Sequence, residues 1–278
     1  MEVTDVDGVP THVFSLEASR GNDSLLYIIP GSPGMAHFYV PFASRLFQLG
    51  GGAYGVSVVS HAGHSPGVYK TPLPPSQDEQ GATRDWFSLE DQISHKLAFL
   101  RDRAEQKKTL YLVGHSIGCY MILKMLKHIA PSRRPLFTTY RSPFVGTVWL
   151  LGSIPEFVKL KVLRQWFSSS PPEHVDYMCR AVMNIDSRSI YNILSMADQE
   201  MKEVVDLPVD TIREVIDKLV FYYGVRDKWN SERMYEEMVE RFPGKDINLC
   251  KSGYSHSFVI DSSHPMAEYV FNKLPKDE

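Results

Sequence analysis

Residues 110–118 read LYLVGHSIG, and this stretch decides the fold. A strand-sized apolar run ends at Gly114, a serine follows at position 116, and helical spacing resumes at Ile117. A strand, then G-x-S-x-G, then a helix is typical of a sharp turn that lifts a nucleophilic serine above a sheet. The pattern therefore predicts that Ser116 is a nucleophile. It also predicts that the backbone N–H of Ile117, at the helix amino terminus, stabilises a developing oxyanion.

A serine hydroxyl needs a base that is oriented by an acid, and in this arrangement the acid and then the histidine follow the serine. Asp227 follows the strand-like run KLVFYY, at a carboxyl end of the predicted sheet. His256 follows the last predicted strand, 29 residues after that acid. We predict a triad of Ser116, Asp227 and His256. Weaker candidates lie on helical patterns or before a helix-starting proline: Asp198, Asp206, Asp210, Asp217 and His264.

A second oxyanion donor is expected in the turn that follows the first buried strand. This turn reads Gly31-Ser32-Pro33-Gly34. Because proline has no N–H, the predicted donor is the backbone N–H of Ser32. An ordinary tight turn with no chemical role is the alternative interpretation.

Three other histidines lie close to these motifs in the sequence. The sharp turn formed by residues 114–118 is called here the elbow. His115 lies inside it and is predicted to point away from the cleft and to be structural. His61 and His64 are three residues apart, but no third ligand stands nearby, so a structural or pocket-rim role is favoured over metal binding. The sequence contains no phosphate-binding glycine loop and no dinucleotide fingerprint. The predicted chemistry needs neither a metal nor an organic cofactor.

Composition excludes several classes of protein. The 278 residues are 43% apolar and 23% charged, which fits one large globular domain or two small ones rather than a fibrous or disordered chain. With 30 basic and 33 acidic side chains, the net charge of −3 gives no reason to expect a nucleic-acid partner. Three scattered cysteines favour free thiols in a reducing compartment. The amino terminus lacks a signal-peptide pattern, and no run approaches the ~20 apolar residues of a membrane span. The oligomeric state is left open.

Short apolar runs alternate with helical patterns, which is typical of a mostly parallel sheet flanked by helices in an α/β fold. Strands are predicted at residues 24–30, 54–60, 109–113, 145–151, 218–223 and 246–250. Helices are predicted at 37–49, from Ser88 onward, at 117–129 and at 265–274, with an irregular loop at 66–83. We expect one domain over residues 1–278.

Residues 154–213 break this alternation. They are helical in pattern and hold no strand-sized apolar run, so we predict a helical cap inserted over the sheet edge. Within it, a helix over 157–167 would place an apolar arc on one side, with Lys159 and Arg164 at its edges. The residues of the arc are Phe157, Leu160, Leu163, Trp166 and Phe167, of which Leu163, Trp166 and Phe167 are the candidates for surface contact. Such an arc suits a membrane or lipid surface. A cap helix packed on the core explains the same pattern.

With these motifs in place, the chain resembles the lipid droplet-associated hydrolases, a branch of the α/β-hydrolase superfamily. The resemblance covers nearly the whole chain and includes runs beyond the elbow. It rests on residues 114–118 with Tyr120 and Met121, 221–224 leading to Asp227 and Trp229, 200–205, His256 before Phe258, Pro30-Gly31, and His61-Ala-Gly-His64.

The resemblance implies an α/β-hydrolase fold and a serine hydrolase acting on carboxylic esters of lipids, cholesteryl ester or another neutral lipid among them. It implies catalytic roles for Ser116, Asp227 and His256. It also implies location on the lipid droplet surface and the cytosolic face of the endoplasmic reticulum, with a soluble cytosolic pool. Relatives have a longer hydrophobic stretch in the insertion, whereas residues 154–174 here are short and rather polar. The competing hypothesis is a weakly active or non-catalytic protein of the droplet or membrane surface that acts by binding.

Overall fold

Strands and helices alternate along the chain, as the sequence pattern predicts. The computed structural model describes residues 1–19, 24–68, 76–77, 83–84, 86–104, 109–128, 156–225 and 232–275. The strands in these ranges are β1 (Glu2–Val6), β2 (Val9–Leu16), β3 (Ser24–Ile29), β4 (Gly55–Val59), β5 (Ser76–Gln77), β6 (Thr83–Arg84), β7 (Thr109–Gly114), β8 (Phe221–Gly224) and β9 (Ile247–Cys250).

The same ranges contain ten α-helices. They are α1 (Val40–Leu49), α2 (Leu89–Ala104), α3 (Ile117–Met125), α4 (Glu156–Trp166), α5 (Pro172–Met183), α6 (Ser187–Glu203), α7 (Val209–Val215), α8 (Glu232–Arg241), α9 (Phe258–Asp261) and α10 (Ser263–Lys273). Short 3₁₀ helices cover Ala36–Tyr39, Phe167–Ser169 and Ile216–Lys218.

The central sheet has the strand order β1-β2-β4-β3-β7. β3 pairs in parallel with β4 on one side and with β7 on the other. β1 and β2 form an antiparallel hairpin, and β2 joins the sheet by pairing antiparallel with β4. β8 and β9 pair in parallel with each other. The predicted strand at 145–151 lies outside the described residues.

Alternate residues of β3 face opposite layers of the molecule, and all six residues of the strand are buried. Leu26 and Ile28 belong to a core cluster that contains apolar residues of α1 and α10. Leu25, Tyr27 and Ile29 belong to another cluster, with apolar residues of α2 and α3. Burial on both faces explains why this strand reads as a continuous apolar run rather than an alternating one.

The β8–β9 pair shares its core with the central sheet. Tyr222 of β8 and Cys250 of β9 lie in the same buried cluster as Tyr111 and Val113 of β7. The structure thus has a mostly parallel sheet flanked by helices, which confirms the predicted fold class.

Several boundaries differ from the sequence prediction. The β1–β2 hairpin was not predicted. The helix expected from residue 37 begins as a 3₁₀ turn, and regular α-helix begins only at Val40. The strand expected from residue 218 begins at Phe221 because Ile216–Lys218 forms a 3₁₀ turn. Within the described part of the loop at 66–83, Ser76–Gln77 pairs with Thr83–Arg84 as a two-residue ladder.

A buried polar cluster lies between α2 and the end of β4. Lys96 is fully buried, and its Nζ donates hydrogen bonds to the carbonyl O of Ser60 at 2.5 Å and to Nδ1 of His95 at 3.2 Å. His95 Nε2 is 2.9 Å from Oγ1 of Thr11, whose hydroxyl donates to the carbonyl of Val9. Burial lowers the pKa of the Lys96 ammonium well below its ordinary value, because desolvation opposes the charged form.

Candidate active site

Ser116 lies on a strained turn between β7 and α3. Its φ of 54° and ψ of −125° fall in a region that a non-glycine residue rarely adopts, and such a conformation costs about 1–3 kcal/mol. The residue is 1% exposed, and within the described part of the chain its Oγ has no hydrogen-bond partner. A buried hydroxyl without a partner, held on a strained backbone, has the geometry expected of a nucleophile elbow.

The glycines of the G-x-S-x-G motif are required by close packing. A Cβ on Gly118 would lie 2.2 Å from the carbonyl O of Ile29, and one on Gly114 would lie 2.8 Å from Cδ1 of Ile122. Both distances are far inside van der Waals contact, so a side chain at either position would force backbone or core atoms apart. The turn can form only because these two positions carry no side chain.

The predicted oxyanion donors belong to two segments next to Ser116, the start of α3 and the turn that contains Gly31. Ile117 begins α3, so its N–H is one of the first-turn groups that a helix leaves without an intrahelical acceptor. On the other side, a Cβ on Gly31 would lie 2.7 Å from Cβ of Ser116. Residues 31–34, called here the 31–34 turn, are closed by a hydrogen bond of 2.8 Å from Gly34 N–H to the carbonyl of Gly31. Ser32 is therefore part of a turn that contacts the elbow.

Two buried histidines form hydrogen bonds with carbonyl groups of the 31–34 turn. The N–H of His61 donates to the carbonyl of Gly34 at 2.7 Å, and Nδ1 of His64 donates to the carbonyl of Pro33 at 2.8 Å. Burial lowers the pKa of His64 to about 4. Burial is the main cause that lowers the pKa of His61, and the nearby charge of Lys96 lowers it further. Within the described residues, no group of three or more His, Cys, Asp or Glu side chains could hold a metal ion.

His256 lies in the turn between β9 and α9 and is half-buried. Its carbonyl O accepts a hydrogen bond of 2.9 Å from Nε2 of His115, and the two imidazole rings are 5.0 Å apart. Because His115 immediately precedes Ser116, this contact brings the His256 turn to the elbow. The structure thus brings together the 31–34 turn, the elbow and the His256 turn.

Asp227 lies outside the described residues. β8 ends at Gly224 and the described chain reaches Val225, two positions before this aspartate. The position of its carboxylate relative to His256 therefore stays a prediction.

His115 is buried, as predicted for a structural residue, and it has a polar partner that the sequence analysis missed. Its Nδ1 is 2.5 Å from Oη of Tyr39, and the same Oη accepts a hydrogen bond of 2.7 Å from the N–H of Gly31. Tyr39 stands in an apolar stretch, and no pattern around it distinguishes a tyrosine at the site from a core tyrosine.

The arc predicted for a lipid surface needs correction. Leu163 of α4 and Phe167 of the following 3₁₀ helix are 2% and 3% exposed and belong to the main core cluster, so both side chains face inward. Trp166 is 48% exposed, as the surface prediction requires. The other exposed apolar side chains of α4 are Phe157 and Val162, at 75% and 50%.

The helices between residues 156 and 203 pack against the loops of the site. Oγ of Ser170 donates to the carbonyl of Ile260 in α9, at 2.5 Å. A ring contact of 5.1 Å joins Tyr177 of α5 to His37, in the 3₁₀ turn that follows the 31–34 turn. That this segment forms a cap over the sheet edge stays a prediction. In the described part of the chain, no helix has both the length and the apolar character needed to cross a bilayer.

Comparison with known proteins identifies the family of the chain. The family model "Lipid-droplet associated hydrolase" matches residues 22–139 and 135–259. The chain is 33% identical to the lipid droplet-associated hydrolase of Gallus gallus, over 97% of this chain and 93% of that protein. It is 32% identical to the Homo sapiens protein of the same name, over 96% of this chain and 89% of that protein.

Solved structures show the same fold at much lower identity. E-2-(acetamidomethylene)succinate hydrolase aligns with a TM-score of 0.67 at 14% identity, over 98% of this chain and 97% of that one. The thioesterase domain from the curacin biosynthetic pathway aligns with a TM-score of 0.65 at 14% identity, over 97% of each chain. The fold is that of an α/β hydrolase, and the chain belongs to the lipid droplet-associated hydrolase family.

Proposed function

We propose that this protein is a serine hydrolase that cleaves carboxylic esters of lipids. The observation that carries the proposal is the backbone of Ser116, which is strained at φ 54° and sits at the amino terminus of α3. Strain of this kind persists only where the surrounding structure imposes it, and it collects at functional sites. Membership of a family named for lipid droplets supports a lipid as the substrate.

In the proposed reaction, Oγ of Ser116 attacks the ester carbonyl carbon while His256 takes the hydroxyl proton. The N–H groups of Ile117 and Ser32 stabilise the oxyanion of the tetrahedral intermediate. His256 then returns the proton to the departing alcohol, which leaves an acyl-serine. Asp227 orients the imidazole and stabilises its charged form.

Water completes the cycle. His256 removes a proton from the water, whose oxygen attacks the acyl carbon, and the proton then passes to Oγ of Ser116 as the fatty acid leaves. The reaction consumes one ester and one water and yields one alcohol and one acid. Each proposed step uses side chains and backbone groups of this chain only.

Labelling with a fluorophosphonate probe tests the proposal. We expect the wild-type protein to be labelled at Ser116, and the Ser116→Ala variant to lose the label. The matched control is Ser262→Ala, because Oγ of Ser262 bonds the exposed Asp261 and has no role in the proposed reaction, so its removal should leave labelling unchanged. Folded wild-type protein that does not label would refute the hydrolase proposal.

A panel of esters from acetyl to oleoyl would define the substrate class. For a lipid esterase we expect kcat/KM to rise with acyl length, because a longer chain buries more apolar surface in the transition state. A preference for acetyl esters over oleoyl esters would contradict the lipid assignment while leaving the serine chemistry intact.

The second candidate function is binding at a droplet or membrane surface with little turnover. The exposed side chains of α4 favour it, because Phe157, Val162 and Trp166 are exposed there with Lys161 among them. Exposed aromatic and basic side chains suit an anionic lipid surface. Under either function we propose location on lipid droplets and on the cytosolic face of the endoplasmic reticulum, with a cytosolic pool.

Flotation with phosphatidylserine-containing vesicles or with artificial droplets tests this surface. We expect Phe157→Ser with Trp166→Ser to reduce recovery in the floating fraction. Val205→Ser is the control, because Val205 is 66% exposed and lies outside α4. Phe167 is unsuitable as a surface variant because it is buried. Recovery equal to the control would remove α4 as the anchor.

A further inference from the structure

A continuous chain of hydrogen bonds links the 31–34 turn to the His256 turn through the side chains of Tyr39 and His115. It runs from the N–H of Gly31 to Oη of Tyr39 at 2.7 Å, and from Tyr39 to Nδ1 of His115 at 2.5 Å. It continues from Nε2 of His115 to the carbonyl O of His256 at 2.9 Å. The side chains of Tyr39 and His115 belong to residues only 3% and 6% exposed.

The direction of each hydrogen bond follows from its fixed partners. The carbonyl of His256 can only accept, so Nε2 of His115 carries a proton. Gly31 N–H can only donate, so Oη of Tyr39 accepts from it and has its own proton left to give. Burial raises the pKa of the Tyr39 hydroxyl, which keeps that proton in place. The acceptor for it is Nδ1 of His115, and the imidazole is therefore the neutral Nε2–H tautomer.

We propose that Tyr39 and His115 are positioning residues on the two sides of Ser116: Tyr39 holds the 31–34 turn through Gly31, and His115 holds the His256 turn through its Nε2–H. This inference rests on the proposed serine hydrolase function. One end of the chain lies in the turn that offers the Ser32 donor, and the other end is the backbone of the proposed base. The buried network sets the geometry in which proton transfer and oxyanion binding occur together.

Two substitutions of His115 separate its two hydrogen bonds. Glutamine places an amide N–H near the position of Nε2, so His115→Gln keeps a donor for His256 and loses the acceptor for Tyr39. Asparagine places its amide near the position of Nδ1, so His115→Asn keeps an acceptor for Tyr39 and loses the donor for His256. Each variant loses one buried hydrogen bond, so a purely structural role predicts similar effects of the two on activity.

The readouts are the fluorophosphonate labelling rate, and kcat and KM for a short-chain nitrophenyl ester. We expect His115→Asn to lower kcat and the labelling rate about tenfold or more while KM changes less than about twofold. We expect His115→Gln to stay within about threefold of wild type. Equal losses in the two variants, or a larger loss in His115→Gln, would overturn the assignment of His115.

Tyr39→Phe tests the other end of the chain and carries the test if His115→Asn does not fold. It removes the acceptor of Gly31 N–H and the donor to His115, and we expect about a tenfold loss of kcat at nearly constant KM. An unchanged kcat would overturn the positioning role of Tyr39. Labelling of the wild-type protein separates the two proposals. If the wild-type protein is not labelled, the proposed hydrolase function fails. If it is labelled and the variants behave like wild type, only the positioning role is refuted.

Discussion

The backbone strain at Ser116 makes a prediction about the stability of the chain. Ser116→Ala keeps a Cβ at φ 54°, whereas Ser116→Gly removes it and relieves the strain. Relief of about 1–3 kcal/mol exceeds the extra entropy of a glycine in the unfolded chain, about 0.5–1 kcal/mol. We therefore expect Ser116→Gly to be more stable than Ser116→Ala by about 1 kcal/mol in chemical denaturation. Equal stability would mean that the turn is not strained in solution.

At the same scale, the buried imidazole of His64 predicts a pH dependence of folding. Its pKa is lowered to about 4 by burial, against 6.5 in the unfolded chain. Below pH 6.5 the unfolded chain takes up a proton that the folded protein takes up only near pH 4. The free energy of unfolding therefore falls between pH 6.5 and about pH 4, by on the order of 3 kcal/mol for this group, and is fully retained above pH 6.5.

The test is the free energy of unfolding as a function of pH for His64→Asn. The asparagine amide can donate to Pro33 in place of Nδ1 but does not titrate, so the loss of stability on acidification should be smaller than in wild type. His12 and His37 keep part of the effect, because burial lowers their pKa values to about 4 and about 3. His128→Asn, at an exposed position, is the control. A profile for His64→Asn that parallels wild type would exclude His64 as a source of acid sensitivity.

At the scale of single elements, α4 predicts opposite outcomes for neighbouring residues. Leu163 is buried in the core and Val162 is half exposed. We expect Leu163→Ala to lower the free energy of unfolding by about 2–4 kcal/mol, because it leaves a cavity, and Val162→Ala to change it by less than about 1 kcal/mol. Thermal melting of the two variants checks this. A larger effect of Val162→Ala would mean that α4 packs through its other side.

Elements buried on both faces could be predicted from the sequence, and elements with an ambiguous pattern could not. β3, β4 and β7 are nearly continuous apolar runs, which leaves little choice of structure. In α4, apolar residues lie on both sides of the helix, so periodicity identifies the helix but not the side that packs. The β1–β2 hairpin carries a usable signal in Asp7-Gly8, a dipeptide favoured in tight hairpin turns, between two alternating runs.

The site was predictable to the extent that its groups have a fixed order along the chain. The elbow pattern points to Ser116, and the Ser, acid, His order points to His256, whose turn lies at the elbow. Tyr39 could not be predicted, because its role depends on the approach of His115 from a distant strand end. The sequence alone does not encode such a contact in any local pattern.

At the scale of the whole molecule, burial predicts a gradient of backbone protection. β3 lies between two parallel partners with every residue buried, whereas β1 is an edge strand with mostly exposed or half-exposed residues. We expect hydrogen–deuterium exchange to be slowest in β3 and β4, which pair on both sides, and fast in β1, because edge amides become accessible through local fraying. Protection of β1 equal to that of β3 would contradict this order.

The relatives differ from this chain in length within the matched region. The alignments with the Gallus gallus and Homo sapiens proteins run over 308 and 303 residues, more than the 278 residues of this chain. They therefore include residues of the relatives that have no counterpart here.

The buried amine of Lys96 provides a way to measure how often the interior of the protein opens to solvent. The surrounding atoms that bury this amine also keep an acylating reagent away from it. Exposed lysines would be acylated quickly, whereas Lys96 would be acylated only when α2 separates from the end of β4. The rate at which acylated Lys96 appears in mass spectra would therefore measure the rate of this opening, without any engineered reporter.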